Sequence, residues 1–312
     1  MQKKGMTQKS QGTSVRRKLW GSWQLYVCLL PAFLYLIVMN YAPMYGVQIA
    51  FRNYVAKKGI WGSEWVGLRH FNTFVHSVQF PVLIRNTLLL SLYSLLIGFP
   101  INILLALMLH EVKCVPFKKL VQNATYIPHF ISIVVLVAMI SNFTSPSIGF
   151  INKFIVALGG SPIDFMGDSK WFRTVYIASD IWQNSGWNSI IYIAALSGID
   201  PQLYEAASID GANRFQRIIH INIPGILPTI VMLLILNCGS ILSVGYEKAF
   251  LMQNTLNSDV SEIISTYVYK IGLQGSKYSY SAAIGLFNSV INFGILLSVN
   301  AISKRLSNIT LI

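Results

Sequence analysis

Long stretches without a charged residue are the feature of this sequence that most restricts its fold. No residue between Lys18 and Arg52 is charged, and none between Arg85 and Glu111. A helix of about 20 apolar residues, rising about 1.5 Å per residue, crosses the apolar core of a bilayer. Charged residues make up only 11% of the 312 residues, compared with about 25% in soluble domains. The sequence therefore predicts an all-α integral membrane protein.

Six segments are long and apolar enough to be transmembrane helices, and no internal repeat is evident among them. Pro31 in the first segment predicts a local kink that neighbouring helices accommodate. A short helix over 260–270 is predicted within an outer loop, 246–280. The six predicted spans are approximately 24–42, 81–109, 122–143, 174–196, 225–244 and 281–302.

The N-terminal basic cluster predicts the orientation of these spans. The net charge of +13 would suit nucleic acid, but the basic residues are not placed for it, so we expect no nucleic-acid partner. Lys and Arg concentrate on the cytoplasmic side of membrane proteins. Six spans then place both tails, 1–22 and 306–312, in the cytoplasm of a cell whose plasma membrane holds the chain. The N-terminal cluster is Lys3, Lys4, Lys9, Arg16, Arg17 and Lys18.

A polar loop at 200–224 separates the fourth and fifth predicted spans. Asp200 followed by Pro201 predicts a helix start, since Asp caps helices and proline suits the first helical position. Asp210-Gly211 predicts a break, after which Asp210 caps a second short helix through Phe215. Small residues would let another surface approach the backbone here. An ordinary connection between two spans is the alternative interpretation.

The spacing in this loop resembles the EAA loop of ABC-importer permeases. It has Glu205-Ala206-Ala207, then three residues and Gly211, and after nine more it ends in Ile221-Asn222-Ile223-Pro224. Further stretches resemble the LplB-like subgroup of carbohydrate permeases, which carries oligosaccharides or polysaccharide fragments. These are residues 40–46, 49–54, 123–129, 182–188 and 281–292.

The resemblance implies a type I ABC importer permease fold with six transmembrane helices. The core domain would be 81–305, preceded by an additional helix and outer loop at 23–80, in a bacterium that is Gram-positive. In this family the loop docks on a separate ATPase subunit, and Pro224 would restart the next span. The residues implied in that contact are Glu205, Ala206, Ala207, Asp210, Gly211, Ala212, Phe215 and Pro224.

The same resemblance implies a set of partners and a division of labour. We expect a second permease subunit, two ABC ATPase subunits, an extracellular lipid-anchored sugar-binding protein and an oligosaccharide substrate. ATP and Mg²⁺ would be bound by the ATPase subunits, with no cofactor in this chain. Gly272 to Lys277 has the wrong spacing for a phosphate-binding loop, and no metalloprotease or nucleophile-elbow motif is present. We therefore predict a non-catalytic subunit without a metal site.

Two other classes of protein fit the sequence less well. An ion-coupled secondary transporter predicts membrane-embedded carboxylates and repeats, but only Asp180 qualifies. An integral-membrane glycosyltransferase predicts a cluster of carboxylates or histidines on one side of the membrane. The eleven acidic residues are instead scattered over many loops.

A polar stripe on the fourth span is the candidate translocation path. Asp180, Asn184, Trp187 and Asn188 are spaced to share one helical face. Trp182 or Trp187 would stack on sugar rings while the polar side chains bind hydroxyls. Polar contacts between helices are the alternative. Asn288 on the sixth span, and Tyr246 and Glu247 after the fifth, are further candidates, with helix packing and an interfacial anchor as their respective alternatives.

Overall fold

The computed structural model describes residues 23–307, so the predicted tail 1–22 and most of 306–312 lie outside the described residues. Within 23–307 the chain is mostly helical, as predicted. The helices are α1 (Trp23–Phe51), α2 (Arg69–Val75), α3 (Gln79–Glu111), α4 (Val115–Phe130), α5 (Ile133–Thr144), α6 (Phe150–Ala157), α7 (Ser169–Ser197), α8 (Pro201–Ile209), α9 (Arg214–Gly239), α10 (Tyr246–Met252), α11 (Ser258–Ser261), α12 (Ile264–Tyr269) and α13 (Tyr278–Ser307).

Helix α1 contains the first predicted span and is longer than predicted. It passes Pro31 without ending, includes one wider π turn at Ile37–Tyr41, and finishes in a tighter 3-10 segment, Tyr45–Phe51. No part of its most apolar stretch is buried against the remaining described residues. A helix that is apolar all round and uncovered matches a lipid environment.

A β-hairpin follows α1 and departs from the purely helical prediction. Strands β1 (Arg52–Val55) and β2 (Gly59–Trp65) pair antiparallel. Gly59 occupies the left-handed region with φ of 67°, which suits a turn residue without a Cβ. The guanidinium of Arg52 lies 5.4 Å from the ring centroid of Trp61 and of Trp65, so cation–π contacts fix the hairpin.

The third predicted span is wrong as a single helix. Helices α4 and α5 meet at 106° rather than running continuously over 122–143. Pro128 has no backbone N–H to donate to the next helical hydrogen bond, so the helix cannot continue regularly through it. Ser132 is extended, and its Oγ accepts from Val135 N at 3.4 Å, which starts α5 afresh. The bend rests on α7, where Gln183 Nε2 donates to the Ile131 carbonyl at 3.0 Å.

Among residues 23–307, four helices are long and apolar enough to cross a membrane: α1, α3, α9 and α13. The bent pair α4–α5 makes a fifth if it counts as one span. Helix α7, with 29 residues, contains the fourth predicted span and has the necessary length, but polar groups such as Arg173, Asp180 and Asn184 make it less apolar. Six spans are compatible with this architecture and stay a prediction.

Part of the segment predicted as an outer loop, 246–280, is packed into the protein core. Ala249 and Met252 of α10 and Ile263 lie in one buried cluster with Leu90 of α3 and Tyr176 of α7. The helix predicted over 260–270 begins at Ile264, because the Thr266 hydroxyl accepts from Ile263 N at 3.0 Å and caps it.

The two ends of the bundle are built from different elements. At one end, the hairpin lies beside the start of α13, where Tyr54 N donates to Ser279 Oγ at 2.8 Å. At the other end, Glu111 at the close of α3 approaches Asn222 of α9. Helix α3 joins the two ends, and its 33 residues correspond to about 50 Å at the α-helical rise.

Candidate functional site

The polar loop forms two short helical segments, as predicted. Asp200 caps α8, with its Oδ1 accepting from Gln202 N at 2.9 Å, and Pro201 occupies the first helical position. Helix α8 ends at Ile209 and the second segment begins at Arg214. We call residues 201–217 the helix pair.

Gly211 makes the turn between the two segments. Its φ of 72° lies in the left-handed region, which residues with a Cβ rarely adopt. The predicted role of Asp210 as cap of the second segment is wrong, because Asp210 is the C-terminal boundary residue of α8. Asn213 is the cap: its Oδ1 accepts from Gln216 N at 2.9 Å, and Gln216 Oε1 accepts from Asn213 N at 2.8 Å. This reciprocal pair is a capping box.

Large apolar side chains project from the helix pair. Ile209 is 87% exposed and Phe215 is 70% exposed, one on each side of Gly211. Leu203 is also exposed, whereas Ala207 and Ala212 are half-buried. Exposed apolar side chains on both sides of one turn are a feature typical of interaction surfaces. Sequence reasoning identified Phe215 but missed Ile209 and Leu203, although two bulky apolar residues in a polar loop were a visible signal.

Glu205 and Ala206 are exposed on the same helix. A carboxylate near small side chains offers a partner both a charge and close access to the backbone. Pro224 is also exposed, and it lies in the first turn of the regular α-helical run Ile223–Gly239. Helix α9 begins ten residues earlier, at Arg214, and runs through Pro224 after a π turn at Ile218–Asn222.

Side-chain hydrogen bonds hold the helix pair against the bundle. The Tyr204 hydroxyl donates to Asn222 Oδ1 at 2.7 Å and lies 3.3 Å from His110 Nε2. Asn222, which is fully buried, donates to Glu111 Oε1 at 3.5 Å. Burial, reinforced by the Glu111 charge, raises the pKa of the Tyr204 phenol. Movement of the helix pair is thereby linked to α3 and α9. Sequence reasoning did not single out Asn222.

A polar cavity of about 230 Å³ lies between α3, α7 and residues 237–245. The structure brings Asp180, Asn184 and Asn188 to this cavity, as their spacing predicted. Asn102 of α3 and Asn237 of α9 line it as well. Neither was predicted, because each lies alone in an apolar segment and only the fold brings them opposite α7. Carboxylate, amide and hydroxyl groups give the cavity many hydrogen-bonding positions.

Asp180 is paired at the cavity wall. Its Oδ1 accepts from Asn184 Nδ2 at 3.0 Å and lies 3.7 Å from Lys248 Nζ. Lys248 is buried, donates to the Tyr176 carbonyl at 2.9 Å and lies 4.5 Å from the Tyr176 ring centroid. Burial lowers the pKa of Lys248 to about 8, although the Asp180 charge opposes that shift.

The remaining candidate path residues lie away from the cavity. The Trp187 ring stacks on His129 at 4.6 Å between centroids, and Trp182 lines an apolar groove between α5, α6 and α7. Tyr246 stacks on Tyr269 at 5.4 Å. Glu247 is exposed, and it is the next residue, Lys248, that forms the ion pair.

Asn288 takes part in helix packing. It donates to the Leu242 carbonyl at 3.3 Å, and it does not line the cavity. Within residues 23–307, no group of three or more His, Cys, Asp or Glu side chains is placed to hold a metal ion.

Comparison with known sequences gives a consistent result. Residues 84–308 match the family described as binding-protein-dependent transport system inner membrane component. Protein LplB of Bacillus subtilis (strain 168) is 42% identical over 292 residues, covering 94% of this chain and 91% of LplB. The polygalacturonan/rhamnogalacturonan transport system permease protein YteP of the same organism is 44% identical over 281 residues, covering 90% of this chain and 88% of YteP.

Solved structures agree with the sequence relatives. A chain of a bacterial ABC transporter involved in the import of the acidic polysaccharide alginate has a TM-score of 0.85 at 42% identity, covering 93% of this chain and 99% of that one. A chain of a bacterial alginate ABC transporter in complex with an alginate pentasaccharide-bound periplasmic protein has a TM-score of 0.87 at 41% identity, covering 95% and 99%.

Long apolar helices around a polar cavity, with an exposed helix pair at one end, define a membrane-embedded transport component of the ABC permease fold. The chain belongs to the family of binding-protein-dependent transport system inner membrane components. It is therefore a membrane permease subunit and not an enzyme, as the resemblance implied.

Proposed function

We propose that this chain forms one half of the pore of an ATP-driven importer of oligosaccharides or polysaccharide fragments. The observation that carries the proposal is the helix pair, which exposes Ile209 and Phe215. Through Tyr204 the pair is hydrogen-bonded to Asn222 of α9, and Asn222 is hydrogen-bonded to Glu111 at the end of α3. An ATPase subunit that grips this surface moves two membrane helices with it. The coupling residues proposed are Glu205, Ala206, Ala207, Asp210, Gly211, Ala212, Phe215 and Pro224, with Leu203 and Ile209 added.

The relatives and the cavity both favour carbohydrate as the cargo. Relatives covering most of the chain are named as permeases for polygalacturonan/rhamnogalacturonan and, at 30% identity, for arabinooligosaccharides. The cavity lined by Asp180, Asn184 and Asn188 supplies the amide and carboxylate groups that bind sugar hydroxyls. Its 230 Å³ is small for an oligosaccharide, so a second permease half completes the pore.

The proposal includes the partners and the orientation. Two ABC ATPase subunits bind ATP and Mg²⁺ on the cytoplasmic side, where the helix pair and both termini lie. An extracellular, lipid-anchored sugar-binding protein delivers the substrate from the other side, in the plasma membrane of a Gram-positive bacterium. The basic cluster before α1 and the periplasmic protein bound to the alginate transporter support this arrangement.

Co-purification of the ATPase subunits tests the proposal. With a tag on this chain, Phe215→Asp and Glu205→Lys should reduce recovery of the ATPase and abolish oligosaccharide uptake, while membrane insertion is unchanged. Leu273→Asp is the matched control, since Leu273 is 65% exposed, close to the 70% of Phe215, but lies in the 246–280 segment. Full recovery of the ATPase with both helix-pair variants would contradict the docking role.

A further inference from the structure

A second pocket lies at the end of the bundle opposite the helix pair. It has a volume of about 600 Å³ and lies between the β-hairpin, α2 and residues 267–280. We call it the hairpin pocket. Its volume lies within the range of about 300–1,000 Å³ typical of small-molecule sites. None of the candidate translocation or coupling residues lines it.

Four tyrosines give the hairpin pocket its aromatic surface: Tyr54, Tyr267, Tyr278 and Tyr280. The rings of Tyr54 and Tyr278 meet edge to face at 6.2 Å between centroids. Tyr267 and Tyr280 lie close enough for their hydroxyl groups to interact. Contacts of this kind hold the rings in place before any ligand arrives. Tyrosine provides a flat apolar face together with a hydroxyl, a combination suited to a sugar ring.

The charged side chains that line the hairpin pocket are all positive. Arg69 and Lys277 line it, and the lining includes no aspartate or glutamate. Within residues 23–307 the ion pairs are Lys248–Asp180 and Lys270–Glu262, so neither Arg69 nor Lys277 has a carboxylate within 4.0 Å. Asn53 and Gln79 add amide groups. An anionic ligand with hydroxyl groups would satisfy all of these donors.

The position of the hairpin pocket places it at the entrance for an imported substrate. Gln79 and Tyr278, the first residues of α3 and α13, both line it. The far end of α3 contacts the helix pair through His110 and Tyr204, about 50 Å away, which is more than the roughly 30 Å of a bilayer core. This step rests on the proposed function: if the helix pair is cytoplasmic, the hairpin pocket faces the outside.

We propose that the hairpin pocket binds an oligosaccharide that carries carboxylate groups, at the outer face of the importer. Arg69 and Lys277 pair with the carboxylates, the tyrosine rings pack on the sugar faces, and Asn53 and Gln79 bind hydroxyls. A neutral sugar leaves both cations without a partner, so the pocket discriminates in favour of acidic chains. The polar cavity between α3 and α7, called the central cavity from here on, does not favour acidic sugars, because its lining includes Asp180 and no arginine or lysine.

Direct binding measurements test this assignment. The full-length chain, with the subunits that co-purify with it, is reconstituted in phosphatidylcholine nanodiscs and titrated calorimetrically with trigalacturonate and with maltotriose. Trigalacturonate should bind at least tenfold more tightly, and its affinity should fall as the salt concentration rises. Arg69→Gln and Lys277→Gln should each weaken it about tenfold, which corresponds to about 1.4 kcal/mol, the size expected for one charge-assisted hydrogen bond.

Lys153→Gln is the matched control, because Lys153 is an exposed lysine on α6 outside the hairpin pocket. Equal affinity for the two trisaccharides, no saturable binding of either, or equal weakening by Lys153→Gln would overturn the proposal. A second arm uses nanodiscs with phosphatidylglycerol; if that lipid abolishes trigalacturonate binding, the pocket is a lipid-headgroup site and the proposal fails. Binding does not require ATP hydrolysis, so these outcomes are independent of ATPase co-purification.

Discussion

Asp180 and Lys248 form an ion pair with 3.7 Å between Oδ1 and Nζ, joining the long polar helix α7 to the short helix α10. The two partners are in different surroundings. The Asp180 side chain is 41% exposed towards the central cavity, whereas the Lys248 side chain is 5% exposed. Because water solvates Asp180 and not Lys248, replacing Asp180 and replacing Lys248 should change the stability of the protein by different amounts.

Asp180→Asn should destabilise the protein more than Lys248→Met. Without Asp180 the buried ammonium of Lys248 keeps only the Tyr176 carbonyl and ring as partners. An uncompensated buried charge costs about 3–5 kcal/mol. Because Asp180 holds up the pKa of Lys248, the amine can instead lose its proton in the variant, which makes the cost smaller. Without Lys248, the Asp180 carboxylate still faces the cavity. Melting temperatures of the purified variants in detergent test the order. Lys270→Met is the control, since Lys270, paired with Glu262, is 33% exposed and not buried.

Stability should rise with pH between about 8 and 10 in a manner that depends on Lys248. Burial lowers the pKa of Lys248 from 10.5 to about 8 in the folded protein. Between these values the unfolded chain binds more protons than the folded one, so raising the pH favours folding. The melting temperature of the wild type should therefore increase relative to Lys248→Met from pH 8 to pH 10. Parallel curves for the two proteins would show that Lys248 keeps its ordinary pKa.

Gly211 should tolerate Asn better than Val. Its φ of 72° is accessible to Asn at a small cost, whereas a β-branched side chain is strained there. No atom lies within 4 Å of a Cβ built at Gly211, so the backbone angle and not crowding decides the result. Gly211→Val should reduce uptake and ATPase recovery together, and Gly211→Asn should retain most of both. Equal loss in the two variants would indicate that the free space itself is required for docking.

Tyr204 and Asn222 should be energetically coupled. Tyr204→Phe removes the 2.7 Å hydrogen bond to Asn222 Oδ1, leaving a buried acceptor unsatisfied, which costs about 1–3 kcal/mol. Because the two residues share one bond, the double variant Tyr204→Phe/Asn222→Ala should lose less stability than the two single losses added together. Thermal unfolding of the four proteins measures the coupling. Tyr35→Phe on the exposed helix α1 is the control and should be neutral. If the stability losses of the two single variants simply add in the double variant, then the Tyr204–Asn222 hydrogen bond is not what holds the helix pair to the bundle.

The sequence predicted the features that depend on local pattern. Apolar length identified the regions of the long helices, and Asp200-Pro201 and Gly211 identified the helix pair with its break. The bend between α4 and α5 was missed because an apolar run with a proline also fits a kinked single helix. Asn213 and not Asp210 caps the second segment, since the left-handed Gly211 delays its start. The contact of Lys248 with Asp180 joins residues 68 positions apart, and no local pattern encodes such a distance.

Gly186, the one glycine in α7, should be difficult to replace. A Cβ built there lies too close to the Thr125 carbonyl oxygen, a backbone atom that cannot rotate away. Gly186→Ala therefore has to push α7 from the bent α4–α5 segment, with a cost of about 1–3 kcal/mol or more. Gly285→Ala on α13 is the matched control, since no atom lies within 4 Å of its Cβ and alanine favours a helix. We expect a lower melting temperature and reduced uptake for Gly186→Ala only. If the two variants are equally stable, the backbone at Thr125 can shift away from α7 at little cost. The bend between α4 and α5 would then be held mainly by the Gln183–Ile131 hydrogen bond.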